Sequence, residues 1–309
     1  MIELDKLFEG NKRAISKAIS IIENEEEYSK DLCKKIFSRT GKAYRIGITG
    51  PPGAGKSTIT LRIAQNLIKS NHKVGILAVD PTSPFTGGAL LGDRVRMQEL
   101  ALEKNVFVRS MATRGSLGGL SKKTRDAADV LDASGMDIII METVGVGQSE
   151  LDIAKASDTT IVVLVPESGD SIQAMKAGLM EIADIFVVNK SDRDGADEAV
   201  LAIKNMLELR GQSASWDIPV HKTIASTNQG IVELVNSIFL HKDYLINSNL
   251  LKKKRIDNLI NMIHEIVSQE LKINFWNDEK ENYLSAKIES IYNREFCVYD
   301  FVKDLFECK

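Results

Sequence analysis

Apolar positions along this chain follow two alternating patterns. Short runs rich in β-branched residues, at 44–49, 74–79, 106–108, 138–141, 160–165 and 185–188, are apolar on consecutive positions, as strands buried on both faces require. Between them, residues 57–70, 117–133, 172–182 and 196–209 repeat their apolar positions at helical spacing. The alternation predicts an α/β fold, a mostly parallel sheet covered by helices on both faces. Ligand loops then gather at the carboxyl ends of the strands, where Asp80, Glu142, Pro166 and Asn189 all fall.

Helical stripes flank this core on both sides. Leu4, Leu7, Phe8, Ile15, Ala18, Ile19 and Ile22 form one near the amino end. Ile256, Leu259, Ile260, Ile263, Ile266 and Val267 form another, followed by Leu284, Ile288 and Ile291 and by Phe301, Val302 and Leu305. The division this predicts is an amino-terminal helical extension (1–43), an α/β domain (44–240) and a carboxyl-terminal helical region (241–309). Such stripes need a partner surface, either the protein's own core or, for the tail, a second copy in a homodimer.

The chemistry is concentrated in two motifs. GPPGAGKST begins where the first apolar run ends, and comprises Gly50, Pro51, Pro52, Gly53, Ala54, Gly55, Lys56, Ser57 and Thr58. In this GxxxxGK[ST] pattern glycines let the backbone wrap closely around a phosphate, with amides of Gly53, Ala54 and Gly55 directed at its oxygens. Lys56 is placed to reach the β and γ phosphates, and Ser57 to offer its hydroxyl to Mg²⁺ at a helix start that already favours negative charge.

The second motif, Asn189, Lys190, Ser191 and Asp192, follows the run at 185–188. In isolation these residues make an ordinary turn. Beside a phosphate loop they read as guanine recognition. Asp192 can accept from both the ring N–H and the exocyclic amine of guanine, a pair that adenine does not offer. Asn189 can bond the other edge of the base, and Lys190 can lay its stem across the ring. Ala225 and Ser226, after the run at 218–224, stand where a last backbone contact to the base is expected. The two motifs together predict GTP as substrate, with Mg²⁺.

Composition narrows the partners. A net charge of −3, with no basic face interleaved with aromatics, argues against nucleic acid. The basic run at 252–255 reads as the solvated start of a helix. No stretch is apolar for long enough to cross a bilayer, and the amphipathic amino terminus lacks the core of a signal peptide, so a cytoplasmic protein is expected. Cys33, Cys297 and Cys308 are widely spaced and read as free thiols, and the four histidines are scattered along the chain.

Two further segments, VDPTSPFTGGALLGDRVRM at 79–97 and METVGVGQSE at 141–150, are unusual for a small GTPase. The strand after the phosphate loop ends in Asp80, and Glu142 opens ETVGVGQ where a DxxG turn commonly stands. With the two nucleotide motifs, these segments resemble the MeaB/ArgK family, to which the human methylmalonic aciduria type A protein belongs. The resemblance extends from about Gly10 to the carboxyl end and is most specific between Gly47 and Asp192.

It implies a GTPase chaperone of an adenosylcobalamin-dependent acyl-CoA mutase, most often methylmalonyl-CoA mutase, which gates cofactor delivery and protects the enzyme without a cobalamin site of its own. Carried over by position, Ser57, Asp80, Asp93 and Glu142 form the magnesium shell, and Gly145 offers its amide to the γ-phosphate. The resemblance also implies a third mobile loop at 166–176, in which Asp170, Gln173 and Lys176 respond to the mutase and nucleotide, with Lys176 or Arg94 a source of transition-state charge. Without the resemblance, Ser168 and Asp170 read as a plain helix start. Val146 stands where many GTPases carry the water-orienting glutamine, and Gln148 lies further on. Hydrolysis is therefore expected to be slow alone, well below roughly 1 per second, and to accelerate with the partner. The competing readings are a nickel-inserting maturation GTPase and a transport-associated kinase or ATPase; the scattered histidines argue against the first and NKSD against the second.

Overall fold

A computed structural model of the chain describes residues 2–24, 26–80, 100, 102–112, 119–143, 149–168, 179–209 and 216–307. They form two compact units, which divide between Arg255 and Ile256.

The first unit is built on a seven-stranded sheet: β1 (Tyr44–Thr49), β2 (Val74–Asp80), β3 (Val106–Ala112), β4 (Ile138–Thr143), β5 (Thr159–Leu164), β6 (Ile185–Asn189) and β7 (Val220–Thr223). The strand order is β3-β2-β4-β1-β5-β6-β7, and every neighbouring pair is parallel. The consecutive apolar positions are explained by the pleat, which sends successive side chains to opposite faces. Ile138 and Ile140 join one cluster with Ile46, Ile48 and Ile76, and Ile139 and Met141 join a second with Leu77 and Val79.

Helices α1 (Leu4–Phe8), α2 (Lys12–Glu23) and α3 (Ser29–Ile36) precede the sheet, and α4 (Lys56–Lys69) links β1 to β2. After them come α5 (Gly119–Ala133), α6 (Ser149–Ala156), α7 (Leu179–Ile182), α8 (Ala196–Leu209) and α9 (Ile231–Asn247). Helices α4 and α9 contribute Ile59, Ile63, Leu67, Leu234 and Ile238 to the first cluster. On the opposite face, α2, α5 and α6 bring Ile15, Ile19, Ala127, Leu131 and Ile153 against β2 and β4. Helices α7 and α8 cover β5 and β6 through Leu179 and Ile203. The amino-terminal stripe thus finds its partner in the protein's own sheet.

Two strands depart from the apolar pattern, and both lie at sheet edges. β3 runs past the apolar residues 106–108 because an edge strand needs less apolar surface; its Arg109 pairs with Glu23 and bonds to Ser20 of α2 (3.0 Å). β7, at the other edge, is short and half-exposed.

The amino ends of the strands are fixed by charge. Asp132 of α5 accepts from the backbone N–H groups of Gly41 (2.8 Å), Lys42 (3.2 Å) and Ala43 (3.0 Å), which holds the approach to β1. Asp158, before β5, accepts two bonds from Arg255 (2.9 and 2.7 Å), and Arg255 also donates to the carbonyls of Gly41 (2.6 Å) and Ala43 (2.9 Å). Lys254 bonds to the Asp158 carbonyl at 2.8 Å. The basic run is therefore not simply solvated: Lys252 and Lys253 are exposed, whereas Lys254 is drawn in by the half-buried Asp184 and Arg255 by the buried Asp158.

Helix α10 (Leu250–Phe275) carries the boundary between the units, and α11 (Asp278–Tyr292) and α12 (Val298–Glu307) follow. Within the second unit Phe301 and Leu305 are buried, and Tyr283 stacks on Phe301 with ring centroids 5.4 Å apart. Ile256, Leu259, Ile260, Ile263, Ile266 and Val267 stay 36% to 56% exposed, so this stripe is not covered as the amino-terminal one is. No helix among the described residues is long and apolar enough to cross a membrane. Cys33 and Cys297 are free thiols, and Cys308 lies outside the described residues.

One acid in α5 is held against its preference. Burial, and then the charge of Asp129, pushes the Asp126 carboxyl up to about 6. The folded chain holds this proton more tightly than the unfolded chain, so the stabilisation is complete below about pH 4 and is lost as the pH rises through 6. Asp126→Asn is expected to raise stability at pH 7.5 by about 1 to 3 kcal/mol and to flatten its pH dependence between about 4 and 6, as read by urea denaturation.

Candidate nucleotide site

The carboxyl ends of β1, β4, β5 and β6 converge on one loop. Gly50, directly after β1, adopts φ +136°, and a Cβ there would lie 2.0 Å from the Val163 carbonyl oxygen of β5. Only glycine lets the loop leave the sheet so close to its neighbour. Pro51 and Pro52 follow, and the Ala54 N–H closes the turn on the Pro51 carbonyl (3.3 Å). Gly53 and Gly55 both have positive φ, and α4 begins at Lys56 with Ser57 and Thr58 in its first turn.

Lys56 is buried, with Nζ donating to the carbonyls of Gly50 (2.8 Å) and Pro51 (2.9 Å), so its ammonium lies within the concavity of the loop. Ser57 Oγ donates to Glu142 Oε1 of β4 at 2.5 Å. A hydroxyl and a carboxylate in contact at the foot of the loop are hard oxygen donors of the kind that suits Mg²⁺. The backbone of Asp80 closes β2 beside them, since Ala78 is in register with Glu142. Burial raises the Glu150 carboxyl above the ordinary range, and the charge of Lys56 partly offsets this.

The second motif is bonded directly to the first. Asn189, which closes β6, is 2% exposed. Its Nδ2 donates to the Ala54 carbonyl (2.8 Å), while Oδ1 accepts from the Ala225 N–H and the Thr223 hydroxyl, each at 3.1 Å. Among the described residues the second hydrogen of Nδ2 has no acceptor. Lys190, at φ +57°, donates from Nζ to the Gly53 carbonyl at 2.8 Å, so its stem runs along the phosphate loop. Asp192 is exposed in the turn beyond. Ala225 is buried and Ser226 exposed, in the loop after β7.

Phosphate loop, Glu142, Asn189, Lys190, Ala225 and Ser226 are thus brought together. Asp93, Gly145, Asp170, Gln173 and Lys176 lie outside the described residues, as do Arg94, Val146 and Gln148. Sequence reasoning overlooked four contributors. Thr223 buttresses Asn189, and Thr49 and Thr143 join β1 to β4 through their hydroxyls at 3.1 Å. Arg62 of α4 donates to the carbonyls of Ala225 and Ser226. The only sequence signal for Arg62 was a charged position on a helix otherwise rich in apolar residues.

A phosphate loop joined in this way to an Asn-Lys-x-Asp motif defines a P-loop GTPase site on an α/β scaffold. The family model described as Methylmalonyl Co-A mutase-associated GTPase MeaB matches residues 15–280, and the chain belongs to that family. It is 50% identical over 268 residues to a protein of Pyrococcus abyssi named as a GTPase, with 86% of this chain and 83% of that one covered. It is 34% identical over 292 residues to the mitochondrial methylmalonic aciduria type A homolog of Mus musculus, covering 86% of this chain and 69% of that protein. A crystal structure described as an LAO/AO transport system kinase superposes with a TM-score of 0.78 at 26% identity, covering 98% of this chain and 95% of that one.

Asn189→Ala strands a buried carbonyl, a hydroxyl and an amide at once. The expected loss of stability is about 2 kcal/mol or more by thermal or urea denaturation, without change in helix content by circular dichroism.

Proposed function

We propose that this protein is a Mg²⁺-dependent GTPase that acts as a chaperone of an adenosylcobalamin-dependent acyl-CoA mutase, with methylmalonyl-CoA mutase as the partner. The observation that carries the reading is the bond between Asn189 and Ala54, which makes the guanine motif and the phosphate loop one site in a chain of the MeaB family. The family's description, which names association with methylmalonyl-CoA mutase, supports the choice of partner.

In this reading Lys56 and the amides of Gly53 to Thr58 hold the phosphates, while Asp192, Asn189, Lys190 and the 225–226 backbone hold guanine. Ser57 and Glu142 hold Mg²⁺ with Asp80 and Asp93, and the bound ion supplies charge that offsets the negative phosphate oxygens. Lys56 adds a fixed positive charge where charge gathers as the γ-phosphate is transferred. Gly145 and Lys176 complete the catalytic group, and Asp170, Gln173 and Lys176 report nucleotide state to the mutase. Turnover is slow alone and rises with the mutase, whose cobalamin this chain gates without a site of its own; the protein acts in the cytoplasm.

The transport-kinase description of the structural neighbour is met by NKSD, whose Asp192 suits guanine rather than adenine. Nickel insertion would call on histidines, yet His221 and His241 are taken up in bonds to Ser237 and Thr159, both at 2.8 Å.

Purified protein is expected to hydrolyse GTP and not ATP, at a rate that increases on adding methylmalonyl-CoA mutase, with Lys56→Ala lowering turnover at least about a hundredfold. Equal rates with and without mutase would remove the chaperone reading. The exposed stripe of α10 supports a homodimer through the carboxyl-terminal region. Ile260→Asp combined with Ile263→Asp should then halve the mass measured by light scattering, whereas a wild-type monomer would refute the dimer.

A further inference from the structure

The loop after β7 is largely built from its own backbone. Ile224 and Gln229 exchange both backbone hydrogen bonds (3.1 and 3.2 Å), and the Thr227 N–H returns to the Ile224 carbonyl (3.1 Å). Within it, the Ala225 N–H is committed to Asn189 Oδ1, so that amide is already occupied. The two carbonyls at the tip accept from one side chain. Arg62 Nε donates to Ala225 O at 3.0 Å and Nη2 to Ser226 O at 2.9 Å, while Nη1 is steadied by Gln65 Oε1 at 3.1 Å.

This pairing constrains direction. The described peptide bonds are trans, so each N–H points opposite to the carbonyl of its own peptide group. Drawing the Ala225 carbonyl against α4 turns the Ser226 N–H away from that helix. This N–H has no hydrogen-bond partner among the described residues. The guanidinium fork, planar and permanently charged, fixes two successive carbonyls in a way that a single donor cannot.

We propose that Arg62 is a positioning residue for guanine recognition, aiming the Ser226 N–H at the carbonyl edge of the base. The role rests on the GTP reading and refines it. The Ser226 amide becomes the backbone donor to the base, Ala225 serves as its buried support, and α4 carries phosphate contacts at one end and base orientation through Arg62. A donor aimed at O6 also separates guanine from adenine, whose amino group at that position repels an N–H.

The test compares wild type, Arg62→Ala and Arg62→Lys by calorimetry with GDP, ADP and inorganic tripolyphosphate. Arg62→Ala is expected to weaken GDP about tenfold, as loss of a charge-assisted restraint predicts, and to narrow the GDP-to-ADP ratio by a similar factor. Tripolyphosphate, which has no base, should bind both proteins equally, and Arg62→Lys should recover part of the GDP affinity. The proposal is overturned if GDP binds Arg62→Ala as tightly as wild type, or if tripolyphosphate weakens in parallel, since the side chain would then merely support the helix. Should Arg62→Ala fail to fold, Arg62→Lys decides alone: an unchanged GDP-to-ADP ratio refutes the role and a narrowed one supports it. A wild-type protein that binds tripolyphosphate but prefers neither base would refute the guanine reading itself, and with it this one.

Discussion

The arrangement of the site depends on a single buried amide. Asn189 spends both ends of its side chain on other loops: Nδ2 on the Ala54 carbonyl, Oδ1 on Thr223 and on the Ala225 N–H. Three segments far apart in sequence are thereby held at one spacing. A carboxylate at this position would set oxygen against the Ala54 carbonyl, and an aliphatic residue would leave polar groups stranded where water does not reach. Gly55 belongs to the same constraint, because a Cβ there would lie 2.4 Å from Asn189 Nδ2. The asparagine can reach the loop only because glycine leaves it room.

The sheet makes such convergence inexpensive. With all seven strands parallel, their carboxyl ends lie on one side, and each following loop starts from a rigid position in the ladder. At the other end, Asp132, Asp158 and Arg255 tie the amino ends of β1 and β5 to the segments around them. The strands are thus pinned by charge where they begin and shaped by glycine and amide contacts where they finish. The hydrophobic clusters that cover the two faces of the sheet lie between these two differently built ends.

Much of this could be read in the sequence, for identifiable reasons. Apolar runs such as 138–141 are apolar on both faces, as the strands of a covered parallel sheet require, and their alternation with helical stretches selects that arrangement. GPPGAGKS carries its own geometry, since each glycine answers a local backbone demand. Legibility failed where a residue's meaning depended on a distant partner. Arg62 and Ala225 are separated by most of the domain, and no spacing connects them. Lys254 and Arg255 look like solvated charges until the buried Asp158 is known to lie beside them. Asn189 was read through its motif as a base contact, and its bracing bonds came to light only in three dimensions. Periodicity reports what a residue does for its own element, and cross-links between elements leave little trace in it.

The amino-terminal helices give the protein a property its motifs do not announce. Leu7, Ile15, Ala18 and Ile19 are fully buried, in the same cluster as Leu77 and Ile139 of the sheet. A fragment started at β1, where recognisable nucleotide chemistry begins, would keep every motif and still bare an apolar face of its own sheet to water. The body that packs as one unit is accordingly longer than the stretch that carries the nucleotide motifs. Substitutions on the buried side of these amino-terminal helices are therefore constrained by the need for a cover of the right shape.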